Sequence, residues 1–176
     1  MGFWGTGVFQ SDRDLDFLDN LAAALKVDNL YYPEKPDEVR AQLNDGRLQA
    51  EFEKLREAER TKTKTVHFEG IKTAIVLLGA AAMELGANLG EEHKAYMSIA
   101  LRTHLLGMYD QAKRDILKGL EDYQNGKPRE VAGKGLDETM CNPPPNLKPN
   151  SMGFIGMNVP DPSFFGGLET ILGEKK

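Results

Sequence analysis

His67, His93 and His104 have the widest chemical reach in this chain, because an imidazole can ligate a metal or pass a proton near neutral pH. Helical spacing decides whether they can meet. His93 and His104 are three turns apart, which puts them on one face but separates them by about 16 Å along the axis. In an antiparallel pair of helices His104 would face the level of residue 75, leaving His67 about 12 Å away. Imidazoles spread this far cannot share one ion. Neither a His-Glu-x-x-His run nor the paired Glu-x-x-His of ferritin-like bundles is present, so no metal and no cofactor is expected. His104 lies in an apolar stripe with Leu101, Leu105 and Met108. It reads as a core histidine bonded to a carbonyl or carboxylate, with an acid–base or ligand-contacting role as the alternative.

The other chemically able residues are weaker. Asp12, Asp16 and Asp19 recur at roughly one helical turn, so their carboxylates could share a face and hold a hard cation. Acids at the start of a helix also answer to its positive end, and that structural role is the expectation here. Cys141 has no local nucleophile signature beside it. Gly5-Thr6-Gly7 follows no strand and lacks the third glycine or lysine of a phosphate-binding loop. No Gly-x-Ser-x-Gly elbow occurs.

The elements that must position these residues read as helices. Ser11 or Asp12 can cap a first helix, whose inner face is Leu15, Leu18, Leu21, Ala22 and Leu25 and which Tyr31-Tyr32-Pro33 ends. A second helical region starts near Pro36, breaks at Asp45-Gly46 and resumes through Leu48, Phe52 and Leu55. Glu51, Glu53, Lys54, Arg56, Glu57, Glu59 and Arg60 read as its solvated face. A third helix, about 66–88, is the most apolar, with Gly79, Ala82 and Gly86 as a small-residue stripe for a close neighbour. A fourth, from Glu91 to about Gln124, carries apolar residues at spacings of three and four from Met97 to Tyr123. The short Asn88-Leu89-Gly90 connection makes the last two an antiparallel hairpin.

After Asn125-Gly126 the composition changes. Residues 126–176 hold most of the nine prolines, including Pro143-Pro144-Pro145. Yet Phe154, Ile155, Phe164 and Phe165 make this stretch too apolar for a solvated linker. Two regions follow: a helical domain, 1–125, and an extended arm, 126–176, packed on its own body, a second copy or a partner.

The N-terminus is the most specific passage. Gly2, Gly5 and Gly7 surround Trp4, the single tryptophan, with Phe3 and Phe9 beside it. Together these rings would gain several kcal/mol from burial, so the terminus is expected to dock on the body. Gly2, Trp4, Gly5, Gly7, Phe9, Asp12, Leu15, Asp16, Phe17, Leu18 and Leu21 give a pattern that resembles the opening of the domain of unknown function 4259 family. Gln10 and Asp14 depart from its commonest form. The resemblance covers about the first 25 residues. It implies membership but no reaction, since the family has no agreed activity.

Composition bounds the rest. With 40% hydrophobic and 28% charged residues the chain has an ordinary globular balance, and a net charge of −5 disfavours a nucleic-acid backbone as partner. One cysteine excludes an internal disulfide framework and fits a reducing compartment. No basic-then-apolar leader opens the chain. Met1-Gly2-x-x-x-Thr6 fits a loose myristoylation pattern, but the bulky Phe3 and Trp4 argue against it. The apolar run Ala74–Met83 is bracketed by Lys72 and Glu84 and is too short to span a bilayer.

The expectation is a mainly α cytoplasmic protein: a four-helix assembly around an antiparallel hairpin, with a Pro/Gly-rich C-terminal arm. Its leading function is a non-catalytic interaction module, a homodimer or a binder of a protein partner, using Phe154, Ile155, Phe164 and Phe165. Trp4, Gly5, Gly7, Phe9, Asp12 and Asp16 form its structural motif. One alternative is a ligand-binding or enzymatic domain with a pocket between helices three and four, using His104, Asp16 and Tyr109. Another is an immunity-like inhibitor of an enzyme.

Overall fold

A computed structural model describes residues 7–61, 67–103, 108 and 110–131 of the chain; the side chains of residues 67–69 fall outside this description. The protein is mainly α-helical. The described residues form, in order, α1 (Asp12–Leu25), α2 (Pro36–Gln42), α3 (Leu48–Thr61), α4 (His67–Leu85), α5 (Glu91–Arg102) and α6 (Asp110–Asp122). All described residues belong to one compact unit. Among them no helix is long and apolar enough to cross a membrane.

Helix α1 starts where Ser11 accepts a hydrogen bond on its side chain from the Asp14 N–H at 3.1 Å, an N-cap of the expected kind. It buries Phe17, Leu18, Leu21, Ala22 and Leu25. The helix ends a full turn before Tyr31-Tyr32-Pro33. Lys26 adopts a left-handed conformation (φ 56°), and the Val27 N–H closes the end on the Ala22 carbonyl at 3.0 Å. The Tyr31 and Tyr32 N–H groups then both donate to Asn29 Oδ1, forming a side-chain-held turn rather than helix. Arg47 donates to the Leu25 and Lys26 carbonyls, tying the negative end of α1 to the start of α3.

Pro36 opens α2, and Gly46 (φ 106°) separates α2 from α3, as Asp45-Gly46 predicts. Helix α4 is the core. Ile75, Val76, Leu77, Leu78 and Ala80 to Met83 are fully buried, because α1, α2, α3, α5 and α6 all pack on it. After the short 86–90 connection helix α5 packs on α4, with Met97 over Gly79 and His93 against the Ile75 carbonyl.

The α4 end depends on Gly86. It sits at φ 71°, its N–H donates to the Met83 carbonyl, and the Ala87 N–H donates to the Ala82 carbonyl at 2.8 Å. A Cβ at Gly86 would also lie 2.8 Å from the Pro128 nitrogen. Gly86→Ala is therefore expected to cost about 2 kcal/mol or more, from the left-handed backbone and the clash together. A urea midpoint within error of the parent would contradict it.

The expected single helix over 91–124 is two. At Thr103 the backbone turns extended (ψ 169°), and the hydroxyl donates to the Ala100 carbonyl at 2.9 Å. A β-branched side chain that bonds back to the preceding turn competes with helix continuation. Gly119 lies inside α6, where the absent Cβ lets Val131 approach the helix.

Candidate functional site

The N-terminal motif is visible from Gly7 onward. The Gly7 N–H donates to Gln10 Oε1 at 2.9 Å, and Phe9 is completely buried with φ 62°, a strained setting for a non-glycine residue. Gln10 and Ser11 are buried beside it. Burial pushes the Asp14 carboxyl above its ordinary range, and this outweighs the opposing effects of Ser11, Arg13 and the Phe9 N–H. Asp12 is half-buried, while Asp16 and Asp19 are exposed. Among the described residues no three His, Cys, Asp or Glu side chains converge as metal ligands would. Trp4, Gly5, His104, Tyr109, Cys141, Phe154, Ile155, Phe164 and Phe165 lie outside the described residues, as does the side chain of His67.

The densest polar constellation sits elsewhere, between α3, α4 and α5. His93 is 1% exposed. Its ring stacks on Phe52 with centroids 4.2 Å apart and planes 12° from parallel. Its Nε2 lies 3.1 Å from the Ile75 carbonyl oxygen, so that nitrogen carries the proton and donates. Burial lowers the His93 pKa to about 4, although the bond to Ile75 works against this, and the ring is neutral at neutral pH. Gly79 makes room for the arrangement, because a Cβ there would lie 2.1 Å from Met97 Sδ and 3.1 Å from His93 Nε2.

One turn further along α5, Tyr96 donates to Glu59 Oε1 at 2.9 Å, and Arg56 donates to Glu59 Oε2 at the same distance. The Arg56 guanidinium lies over the Tyr96 ring, 4.5 Å from its centroid. The Tyr96 ring meets Phe52 edge-on at 6.3 Å. Burial raises the Tyr96 hydroxyl above its ordinary value, and the Glu59 carboxylate adds to the shift.

This corrects the reading of Glu51 and Glu59 as part of a solvated face. Glu51 is buried, and the Glu59 side chain is only 11% exposed. Charge alone suggests solvent, but the Tyr96 hydroxyl and the Arg56 guanidinium satisfy Glu59, and Lys54 lies 3.4 Å from the Glu51 carboxylate. Metal-ligand spacing is the wrong frame for His93. Its position one turn before Met97, on the inward stripe of α5, was the signal that it is a core residue.

A second feature runs outward. The Phe9, Tyr31 and Tyr32 rings form a ladder, with centroid spacings of 5.2 Å and 4.1 Å. It leads from a fully buried ring to Tyr32, which is 76% exposed. The Tyr32 hydroxyl donates to Tyr31 Oη at 3.3 Å. Burial raises the Tyr31 hydroxyl, with Tyr32 and the Glu84 charge acting in the same direction.

Chemically, the α3–α5 constellation is closed. The imidazole proton is held by a carbonyl, both Glu59 oxygens accept hydrogen bonds, the His93 ring stacks on Phe52, and the Arg56 guanidinium lies over the Tyr96 ring. No family model matches the chain, and no characterised protein or solved structure matches it significantly.

Proposed function

We propose that this chain is a non-catalytic protein-interaction module of the cytoplasm that self-associates through its C-terminal arm, and that it belongs to the domain of unknown function 4259 family. One observation carries the reading. Among the described residues the part-buried Tyr96, Glu59 and Arg56 side chains bond one another and His93 bonds a backbone carbonyl, while the Phe9–Tyr31–Tyr32 ladder brings an aromatic ring to the surface. Tyrosine held this way gives contact area at low entropic cost, a recurring property of interface anchors. The arm supplies the complementary apolar residues Phe154, Ile155, Phe164 and Phe165. The family resemblance rests on Gly7, Phe9, Asp12, Leu15, Asp16, Phe17, Leu18 and Leu21 among the described residues.

The test is the mass of the full-length chain by native mass spectrometry and sedimentation velocity, alone and with Tyr32→Ala or the pair Phe154→Asp and Phe165→Asp. A dimer that each variant weakens by about tenfold or more supports the proposal, since anchor truncations commonly cost at least about 1.4 kcal/mol. A monomer at micromolar concentration with no co-purifying protein would overturn it.

A further inference from the structure

Asn125 and Gly126 form the single Asn-Gly dipeptide of the chain. In such a pair the next backbone nitrogen can reach the asparagine side chain with little hindrance, because glycine has no Cβ to crowd the approach. Gly126 is exposed at φ 84°, and nothing lies within 4 Å of where its Cβ would stand.

The Asn125 side chain is a clamp. Its Oδ1 accepts from the Leu89 N–H at 3.1 Å, and its Nδ2 donates to the Leu89 carbonyl at 3.3 Å, so both halves of the amide hold one residue of the α4–α5 connection. The chain on either side of Asn125 is fastened to the same end of the hairpin. The Tyr123 hydroxyl donates to the Ala87 carbonyl. The Arg129 N–H donates to the Met83 carbonyl at 2.8 Å, and the Val131 N–H donates to Glu84 Oε1 at 2.5 Å. Residues 123–131 thus form a strap across the C-terminal end of α4. The tip of the strap is open to water: Gln124 to Pro128 are exposed, while Arg129 pairs with Asp122 and Val131 is buried.

We propose that Asn125 is a self-modifying latch, whose spontaneous conversion to aspartate or isoaspartate releases the 123–131 strap from the hairpin. The Gly126 backbone nitrogen gives up its proton and bonds to Asn125 Cγ. The Cγ–Nδ2 bond breaks, and ammonia leaves. Water then opens the cyclic imide at one carbonyl or the other, giving isoaspartate or aspartate. One water enters and one ammonia departs, with no change of oxidation state.

Two features of the clamp give the reaction a direction. Asn125 must let go of Leu89 before its Cγ can swing to Gly126, so the reaction proceeds from the open strap. The product then cannot restore the clamp. An aspartate keeps an acceptor for the Leu89 N–H but sets a carboxylate oxygen against the Leu89 carbonyl where an N–H donor stood. Isoaspartate lengthens the main chain by one carbon and moves 126–131 out of register with Met83 and Glu84.

The experiment is peptide mapping of the full-length protein aged at mildly alkaline pH, paired with amide hydrogen exchange. Asn125 is expected to convert before Asn44 and Asn88. In the aged protein the Arg129 and Val131 amides should exchange about tenfold faster, while those of Ile75 to Leu78 hold their protection. Asn125→Asp and Asn125→Ala should reproduce that exchange pattern without ageing. Persistence of Asn125 while other asparagines convert would overturn the proposal. So would unchanged protection at Arg129 and Val131 in both variants.

Discussion

Phe52→Ala is expected to lower the unfolding free energy by about 3–5 kcal/mol, the range for truncating a large aromatic in a closed core. Phe52 is 1% exposed, and one of its faces carries the His93 ring while Tyr96 meets it edge-on. Alanine would leave a cavity lined by an imidazole and a phenol, so the loss exceeds that of apolar area alone. Phe52→Leu keeps much of the volume and should cost about 1.5 kcal/mol or less. Urea titration at neutral pH separates the two. A Phe52→Ala loss below about 1 kcal/mol would mean that the stack does not hold α5 to α3.

Acid is expected to act through His93. The unfolded imidazole titrates at 6.5 and the folded one at about 4. Between these values the unfolded state binds more protons, so stability is full above pH 6.5, falls as pH drops, and levels off below about pH 4. A displacement of this size corresponds to about 3 kcal/mol. Asp14 works in the opposite sense, because its raised carboxyl takes up a proton on folding as pH falls. The decisive comparison is therefore between the parent and His93→Phe, which removes the titrating group and keeps a ring against Phe52. The variant's stability should fall less between pH 7 and 4 by about 3 kcal/mol. Parallel curves would remove His93 as the source.

Much of the fold could be read from periodicity. Most of the inner face of α1 (Leu18, Leu21, Ala22 and Leu25, with Phe17 buried in place of the expected Leu15), the break at Gly46, the apolar α4 and the tight connection into α5 follow from residue spacing and glycine placement. The break at Thr103 did not, because apolar residues continue at helical spacing from Met97 through Met108 to Ile116 on both sides of it. What ends α5 is a hydroxyl bonding back to Ala100, a local competition that periodicity does not register. The candidate site was less legible. Tyr31 and Tyr32 read as helix-ending residues, and that they stack into a ladder depends on Phe9 arriving from twenty-two residues earlier. Glu59 looked solvated because its partner Tyr96 is on another helix. Long-range pairings of this kind are set by tertiary packing, and one sequence carries no direct trace of them.

Helix α4 shows no face to water along its middle, and five other helices share the work of covering it. Removing any one of them would wet the same apolar cylinder. Their stabilities are therefore not separate quantities. The protein should gain or lose its helical body as a whole, and a substitution on α1 or α6 would be felt as a change in the common threshold for unfolding, not as local fraying. Only pieces that do not sheathe α4, such as the strap at its end, are free to come and go on their own.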